Sequence, residues 1–188
     1  MTTHYLDFTL APDPETSATH LLGALYDRFH LALVQRRIDT IGVSFPGYSL
    51  VPRTLGTQLR LHGRADDLTP FMHADWLKGV RDHVHLSDIL ETPVNAEHRA
   101  VQRRQFKTSA DRLRRRRMRR KGETAAQAEQ AIPVTVERRP DLPYVQLRSR
   151  STGQPFSLFV ALGPLMPIAT PGPFNAYGLS ATTTVPWF

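Results

Sequence analysis

Cysteine is absent from the 188 residues, so no disulfide framework and no cysteine-ligated zinc or iron–sulfur centre can form. That absence fits a reducing compartment. Also missing is any apolar run near the roughly 20 residues needed to cross a bilayer as a helix. The opening Met1-Thr2-Thr3-His4-Tyr5-Leu6-Asp7 has no basic region and no apolar stretch before Asp7, so no signal peptide is expected. Residues 151–188 lack charge altogether, but Pro155, Pro164, Pro167, Pro171 and Pro173 make them a poor helix. There is no Gly-rich phosphate loop, no GxSxG elbow and no paired-carboxylate motif. The expectation is a soluble, cytoplasmic protein with no membrane partner and no cofactor.

What is present is a core-forming chain with one strongly basic device. Hydrophobic residues make up 40%, enough to bury a sizeable core. The formal net charge is +7, and it is localised. The window 103–121 holds eleven Lys or Arg and one acid, Asp111, whereas the rest carries 13 basic and 16 acidic residues. Clustering of this kind is the footprint of a polyanion binder.

Along the chain, Tyr5–Leu10 reads as a strand. A helix is predicted from near Ser17, its apolar stripe being Leu22, Leu25, Tyr26, Phe29 and Leu33. Ile41–Phe45 and the alternating Gln58–His62 are further strands. A second helical region, bent at Pro70, is predicted over Ala65–Val80, followed by a strand at His83–Leu86. The order β-α-β-β-α-β over about 90 residues is the ferredoxin-like pattern. The second half opens with a strand-like Ala100–Phe106, then a helix over Ala110–Lys121 that Ser109 can cap and Gly122 can close. Thr124 and Gln127 form a capping-box signature for another helix ending before Pro133. Strands follow at Tyr144–Leu147 and Phe156–Leu162, with shorter pieces near Phe174–Leu179 and Thr183–Phe188. The fold class expected is α+β, with residues 1–94 as a ferredoxin-like domain and 95–188 as a domain carrying the arginine-rich helix.

On that helix Arg112, Arg115, Arg116 and Arg119 share one face, widened by Arg114, Arg117, Arg120 and Lys121. Leu113 and Met118, five apart, define no common stripe, so the helix has little to bury. A solvated charged face is the plain alternative, but solvated helices usually mix signs. Arginine forks suit phosphates and guanine edges, and nucleic acid is the partner expected. Arg103 and Gln105, alternate residues of the preceding strand, would point the same way and could read bases.

Chemistry is harder to locate. His83-x-His85 would put two rings on one strand face without a third ligand and reads as structural. RNA can be cut without a metal because its own 2′-OH is the nucleophile, given a general base and alignment. His30 lies beside the apolar stripe of its helix and reads either as a helix-edge residue or as such a base. Ser149, Ser151 and Thr152 read as turn residues or site residues, and Tyr177 as strand packing or part of a site.

Taken together, His4-Tyr5-Leu6-Asp7, Pro12-Asp13-Pro14-Glu15, Ile41–Pro46, the Arg112–Arg120 helix, Leu147-Arg148-Ser149, Ser151-Thr152-Gly153-Gln154, Tyr177–Ser180 and Val185-Pro186-Trp187-Phe188 occur in order over essentially the whole chain. In these stretches the sequence resembles the subtype I-F CRISPR RNA-processing endoribonucleases, the Csy family. The resemblance implies a metal-independent cut at the 3′ base of a repeat hairpin, leaving a 2′,3′-cyclic phosphate and a 5′-hydroxyl. It implies that His30 transfers the proton at the 2′-OH, that Ser149 holds that hydroxyl, and that Tyr177 orients the histidine. Arg103 and Gln105 match base-reading residues; Arg115, Arg116, Arg119 and Arg120 match groove-lining arginines, and Phe156 a stacking aromatic. Lys107, Arg112, Lys121, Ser151 and Thr152 complete the expected RNA-binding set. Lys121 stands where the family pattern has a histidine, and Pro155 precedes Phe156. The partners implied are a CRISPR repeat hairpin and the other subunits of a guide-RNA surveillance complex. A non-catalytic hairpin-binding subunit, or a basic structural protein of a ribonucleoprotein, is the competing reading.

Overall fold

The computed structural model describes residues 2–106, 110–136, 140–150 and 152–188. Strand β1 (His4–Leu10) buries Leu6, Phe8 and Leu10 on one face. Helix α1 (Ala18–Arg36) starts where Ser17 Oγ accepts the His20 N–H at 3.3 Å, a side-chain cap for an otherwise orphaned donor. All five predicted stripe residues of α1 are buried. Strand β2 (Gly42–Ser44), a short hairpin of β3 (Ser49–Leu50) and β4 (Arg53–Thr54), and β5 (Gln58–Gly63) follow.

Helix α2 spans only Ala65–Met72, shorter than the predicted Ala65–Val80. Pro70 sits inside it without an N–H to give, and within one turn the chain leaves the helix. A 3₁₀ turn at Asp75–Leu77 then buries Trp76 against Phe8, Phe29 and Phe71. Strand β6 is Val84–Leu86. His83 lies outside it, in a 3₁₀ turn, where its Nδ1 meets Asp13 Oδ2 at 3.2 Å. The two histidines therefore do not share a strand face, and His83 is tied up structurally.

Strands β7 (Leu90–Glu91), β8 (Glu97–Arg99) and β9 (Val101–Arg104) come next, then helices α3 (Ala110–Lys121) and α4 (Ala125–Ala131). Strands β10 (Tyr144–Arg148), β11 (Pro155–Leu162) and β12 (Val185–Trp187) complete the chain. The fold is mixed α+β. Its main sheet has the order β2-β5-β1-β6, antiparallel throughout, with β7 also paired to β1. A second sheet runs β10-β11-β9, and β12 pairs with β8. Residues Phe174–Leu179, expected to be strand-like, form a turn instead.

Strand β5 departs from its sequence pattern. Alternation predicts one wet face, yet Leu59, Arg60, Leu61 and His62 are all buried. The polar face is covered by the end of the chain: Arg60 donates to both Asp7 carboxylate oxygens, at 2.7 and 2.9 Å, and to the Phe188 carbonyl at 2.9 Å. Its guanidinium also lies over the rings of Tyr5 and Phe188. A buried arginine is tolerated because every side of it is occupied by an anion, an acceptor or a π-face.

Two compact units result. One comprises Met1–Arg103 and Leu142–Phe188, the other Arg104–Asp141. No helix among the described residues is long and apolar enough to cross a membrane.

Candidate active site

His30 occupies the fourth turn of α1, beside the buried stripe, and is half-buried. The turn 175–179 comes back over it. Val43 N–H donates to the Gly178 carbonyl at 2.9 Å, and Ser180 N–H to the Val101 carbonyl at 3.0 Å, which moors the turn to β2 and β9. Gly178 takes φ +69, and a Cβ there would lie 3.0 Å from the Phe29 ring, so the turn reaches α1 only because that residue has no side chain.

Two contacts then fix the imidazole. Its ring stacks on Tyr177 with centroids 4.0 Å apart and planes 8° from parallel. Its Nδ1 lies 2.6 Å from the Ala176 carbonyl oxygen. A carbonyl can only accept, so Nδ1 carries the proton and, in the neutral ring, Nε2 keeps its lone pair. The arrangement presents a base of defined tautomer. Tyr26, fully buried, donates its hydroxyl to the Tyr177 carbonyl at 2.7 Å. Burial holds the Tyr26 phenol well above its ordinary range, so it remains a donor.

Arg103 places its guanidinium 4.9 Å from the Tyr177 ring centroid and 5.9 Å from that of Phe156. His30, Tyr177, Arg103 and Phe156 are thus one connected group of planar side chains. Ser149 follows β10 and is held in a turn: its N–H donates to the Gln154 carbonyl at 2.9 Å and its carbonyl accepts from Gly153 N–H at 2.7 Å. The neighbouring Arg150 is 3.7 Å from Asp27 Oδ2 on α1, three residues before His30. Strand β10 itself packs on α1, and a Cβ at Gly23 would fall 2.7 Å from the Gln146 carbonyl. The serine turn and the histidine helix are therefore held side by side. Thr152 is exposed; Ser151 lies outside the described residues.

In the other unit, α3 has the predicted bounds. Arg112, Arg115, Arg116, Arg119, Arg120 and Lys121 are exposed. Arg114 and Arg117 differ from the expectation that they widen this face. Arg114 donates to the Ile132 carbonyl at 2.9 Å and pairs with Asp111 and Glu129, each at 3.3 Å. Arg117 forms a two-pronged pair with Glu123. Leu113 and Met118 flank them on the same half-buried side. The inner face is thus filled by arginines paired with Asp111 of the helix and with Glu123 and Glu129 beyond it, and the outer face keeps its charge. The predicted capping box on α4 is present, Gln127 N–H to Thr124 Oγ1 and Thr124 N–H to Gln127 Oε1. Gln105 lies one residue past the end of β9 and is exposed, so strand alternation does not extend from Arg103 to it. Lys107 and the Ser109 cap fall outside the described residues.

Sequence reasoning missed the Ala176 carbonyl, Gly23 and the Asp27–Arg150 pair. A backbone acceptor has no residue-type signal, and Gly23 could be noticed only as an apparently wasted position in a good helix. Among the described residues, no group of three or more His, Cys, Asp or Glu is arranged to hold a metal ion.

Residues 5–188 match the family described as CRISPR-associated protein (Cas_Csy4). The chain is 46% identical to the CRISPR-associated endonuclease Cas6/Csy4 of Pseudomonas aeruginosa (strain UCBPP-PA14), over 98% of this chain and 99% of that one. To the CRISPR-associated endonuclease Cas6/Csy4 of Escherichia coli (strain UTI89 / UPEC) it is 39% identical, with the same coverage.

Proposed function

The chain belongs to the Cas_Csy4 family of CRISPR-associated proteins, and from that premise we propose that it is an endoribonuclease processing CRISPR precursor RNA, cutting at the 3′ base of the repeat hairpin without a metal ion and keeping hold of the product. The observation that carries this reading is the His30 imidazole, held through Nδ1 by the Ala176 carbonyl and stacked on Tyr177.

In the proposed reaction, Nε2 of His30 takes the proton of the 2′-OH next to the scissile phosphate. The 2′ oxygen bonds to phosphorus, the bond to the 5′ oxygen breaks, and that oxygen takes up a proton. The products are a 2′,3′-cyclic phosphate and a 5′-hydroxyl. Ser149 holds the 2′-OH, and Tyr177 keeps the imidazole plane in place. Acid–base help of this sort contributes about 10² to 10⁴-fold, and alignment of the nucleophile adds to it.

For recognition, the exposed arginines of α3 and Lys121 are proposed to grip the hairpin phosphates and groove. Arg103 and Gln105 read bases at the foot of the stem, Phe156 stacks on a terminal base, and Lys107, Ser151 and Thr152 contact the same RNA. The fold proposed for residues 1–94 is ferredoxin-like, supported by the antiparallel order β2-β5-β1-β6; residues 95–188 are proposed as the hairpin-binding half. Many arginine contacts favour product retention, and the retained RNA would bring the protein into the subtype I-F surveillance complex in the cytoplasm.

The test is a labelled repeat hairpin incubated in EDTA with wild-type protein and with His30→Ala. Wild type should cut once below the stem, while H30A binds equally and does not cut. Tight binding by both with no cleavage by either would make the protein a hairpin-binding subunit instead.

A further inference from the structure

We propose that Asn175 is a positioning residue that sets the tautomer of His30, a role that rests on the reading of His30 as the proton-transfer group. The Asn175 side-chain oxygen accepts the Tyr177 N–H at 2.8 Å and the Leu179 N–H at 3.3 Å. Two amide donors converge on one atom, which assigns that atom as the oxygen of the side-chain amide. The backbone adds two bonds to the same turn, Asn175 N–H to the Leu179 carbonyl at 2.9 Å and Gly178 N–H to the Asn175 carbonyl at 2.8 Å.

The decisive feature is which peptide plane is held. The Tyr177 N–H and the Ala176 carbonyl belong to one rigid peptide unit and point in opposite directions. Pinning the N–H to Asn175 therefore aims the carbonyl at His30 Nδ1, 2.6 Å away. Donation by the N–H also polarises the carbonyl and strengthens it as an acceptor. The following peptide is held by the Tyr26 hydroxyl on the Tyr177 carbonyl. With both flanking planes fixed, the Tyr177 ring has a defined position over the imidazole. Asn175 is itself exposed and makes no contribution to the core, so its substitution tests the turn rather than the packing. Without its side-chain acceptor, the 176–177 peptide can rotate, and either imidazole nitrogen can carry the proton. A ring protonated on Nε2 cannot take a proton from the 2′-OH there.

The experiment uses the full chain labelled with ¹⁵N-histidine, as wild type, Asn175→Ala and Asn175→Asp. Ring ¹⁵N shifts at a pH where His30 is neutral report its tautomer. Single-turnover cleavage in EDTA and binding of a 2′-deoxy hairpin that cannot be cut are measured alongside. Wild type should show the Nδ1–H tautomer. N175A should show a mixture and cleave about tenfold or more slowly, part of what a positioned acid–base group contributes, with binding within about twofold of wild type. N175D keeps the acceptor and should restore the tautomer and most of the rate. A wild-type ¹⁵N pattern in N175A overturns the proposal, as does a rate loss that N175D shares in a folded protein. Should wild type fail to cut, the enzymatic reading falls, while the ¹⁵N pattern still decides the role of Asn175.

Discussion

His62 shows how much one position depends on its surroundings. It is fully buried in β5, with Nε2 at 2.7 Å from Ser44 Oγ and Nδ1 without a partner among the described residues. Burial, with the Arg60 and His98 charges beside it, pushes its pKa down to about 3. The unfolded chain protonates the same ring near its ordinary value of about 6.5. Between those values the unfolded state binds the extra proton, so stability is full above about 6.5 and is lost as the pH falls toward 3. The slope cannot exceed about 1.4 kcal/mol per pH unit for this one group. Urea unfolding at pH 7.5 and pH 5 should show the loss, and His62→Gln should flatten it. His98, also depressed by burial, acts in the same direction and leaves part of the slope in that variant.

At the scale of elements, the pairing of α1 with β10 sets the geometry around His30. The two backbones approach so closely at Gly23 that a Cβ would meet the Gln146 carbonyl at 2.7 Å. In solvent an alanine would favour the helix by about 1 kcal/mol. Here Gly23→Ala should do the reverse, costing about 1–3 kcal/mol as other overpacked sites do, and it should displace the serine turn from His30. Thermal unfolding should show the first effect, and a fall in the cleavage rate with unchanged hairpin affinity the second.

Helix α3 divides its arginines between an ion-paired face and an exposed one, and substitutions should separate the two. Arg114 ties α3 to α4 through Ile132 and Glu129, so Arg114→Ala should lower the stability of the Arg104–Asp141 unit. Arg116 is exposed. Arg116→Ala should leave unfolding unchanged and reduce the salt slope of hairpin binding by about 1. Titrations across a salt series, run with each variant, read both.

For the molecule as a whole, binding should be dominated by phosphate neutralisation. Six exposed cations on α3 contacting phosphates would give a log–log salt slope of roughly −4 to −5, about a 10³-fold loss of affinity between 50 and 200 mM salt. A slope near −1 would mean that the basic face of α3 is not the RNA surface. The measurement is equilibrium binding of the repeat hairpin at several salt concentrations.

Local signals carried far along this chain. The Ser17 cap, the α1 stripe, the bounds of α3 and the Thr124–Gln127 box all depend on residues within a turn or two of each other, so they are legible before any folding. Concentrated charge is equally local, which is why the exposed cationic face of α3 could be read from composition. The length of α2 is not legible in its pattern, because the apolar spacing continues past Pro70 while the missing N–H ends the helix. The burial of the polar face of β5 is not legible locally, because its cover, Phe188, lies 128 residues away from Arg60.

By itself, then, the sequence determined where the helices begin, which stripe of α1 is buried, and that α3 carries a dense cationic face. Only the tertiary structure decided which nitrogen of His30 carries a proton, because the acceptor is a backbone carbonyl 146 residues away. It likewise decided that Arg114 and Arg117 turn inward, since Glu129 and Glu123, which pair with them, sit on segments beyond the helix. Short-range periodicity is written into the order of residues; the pairing of groups far apart in the chain exists only once loop closure and core packing have brought them together.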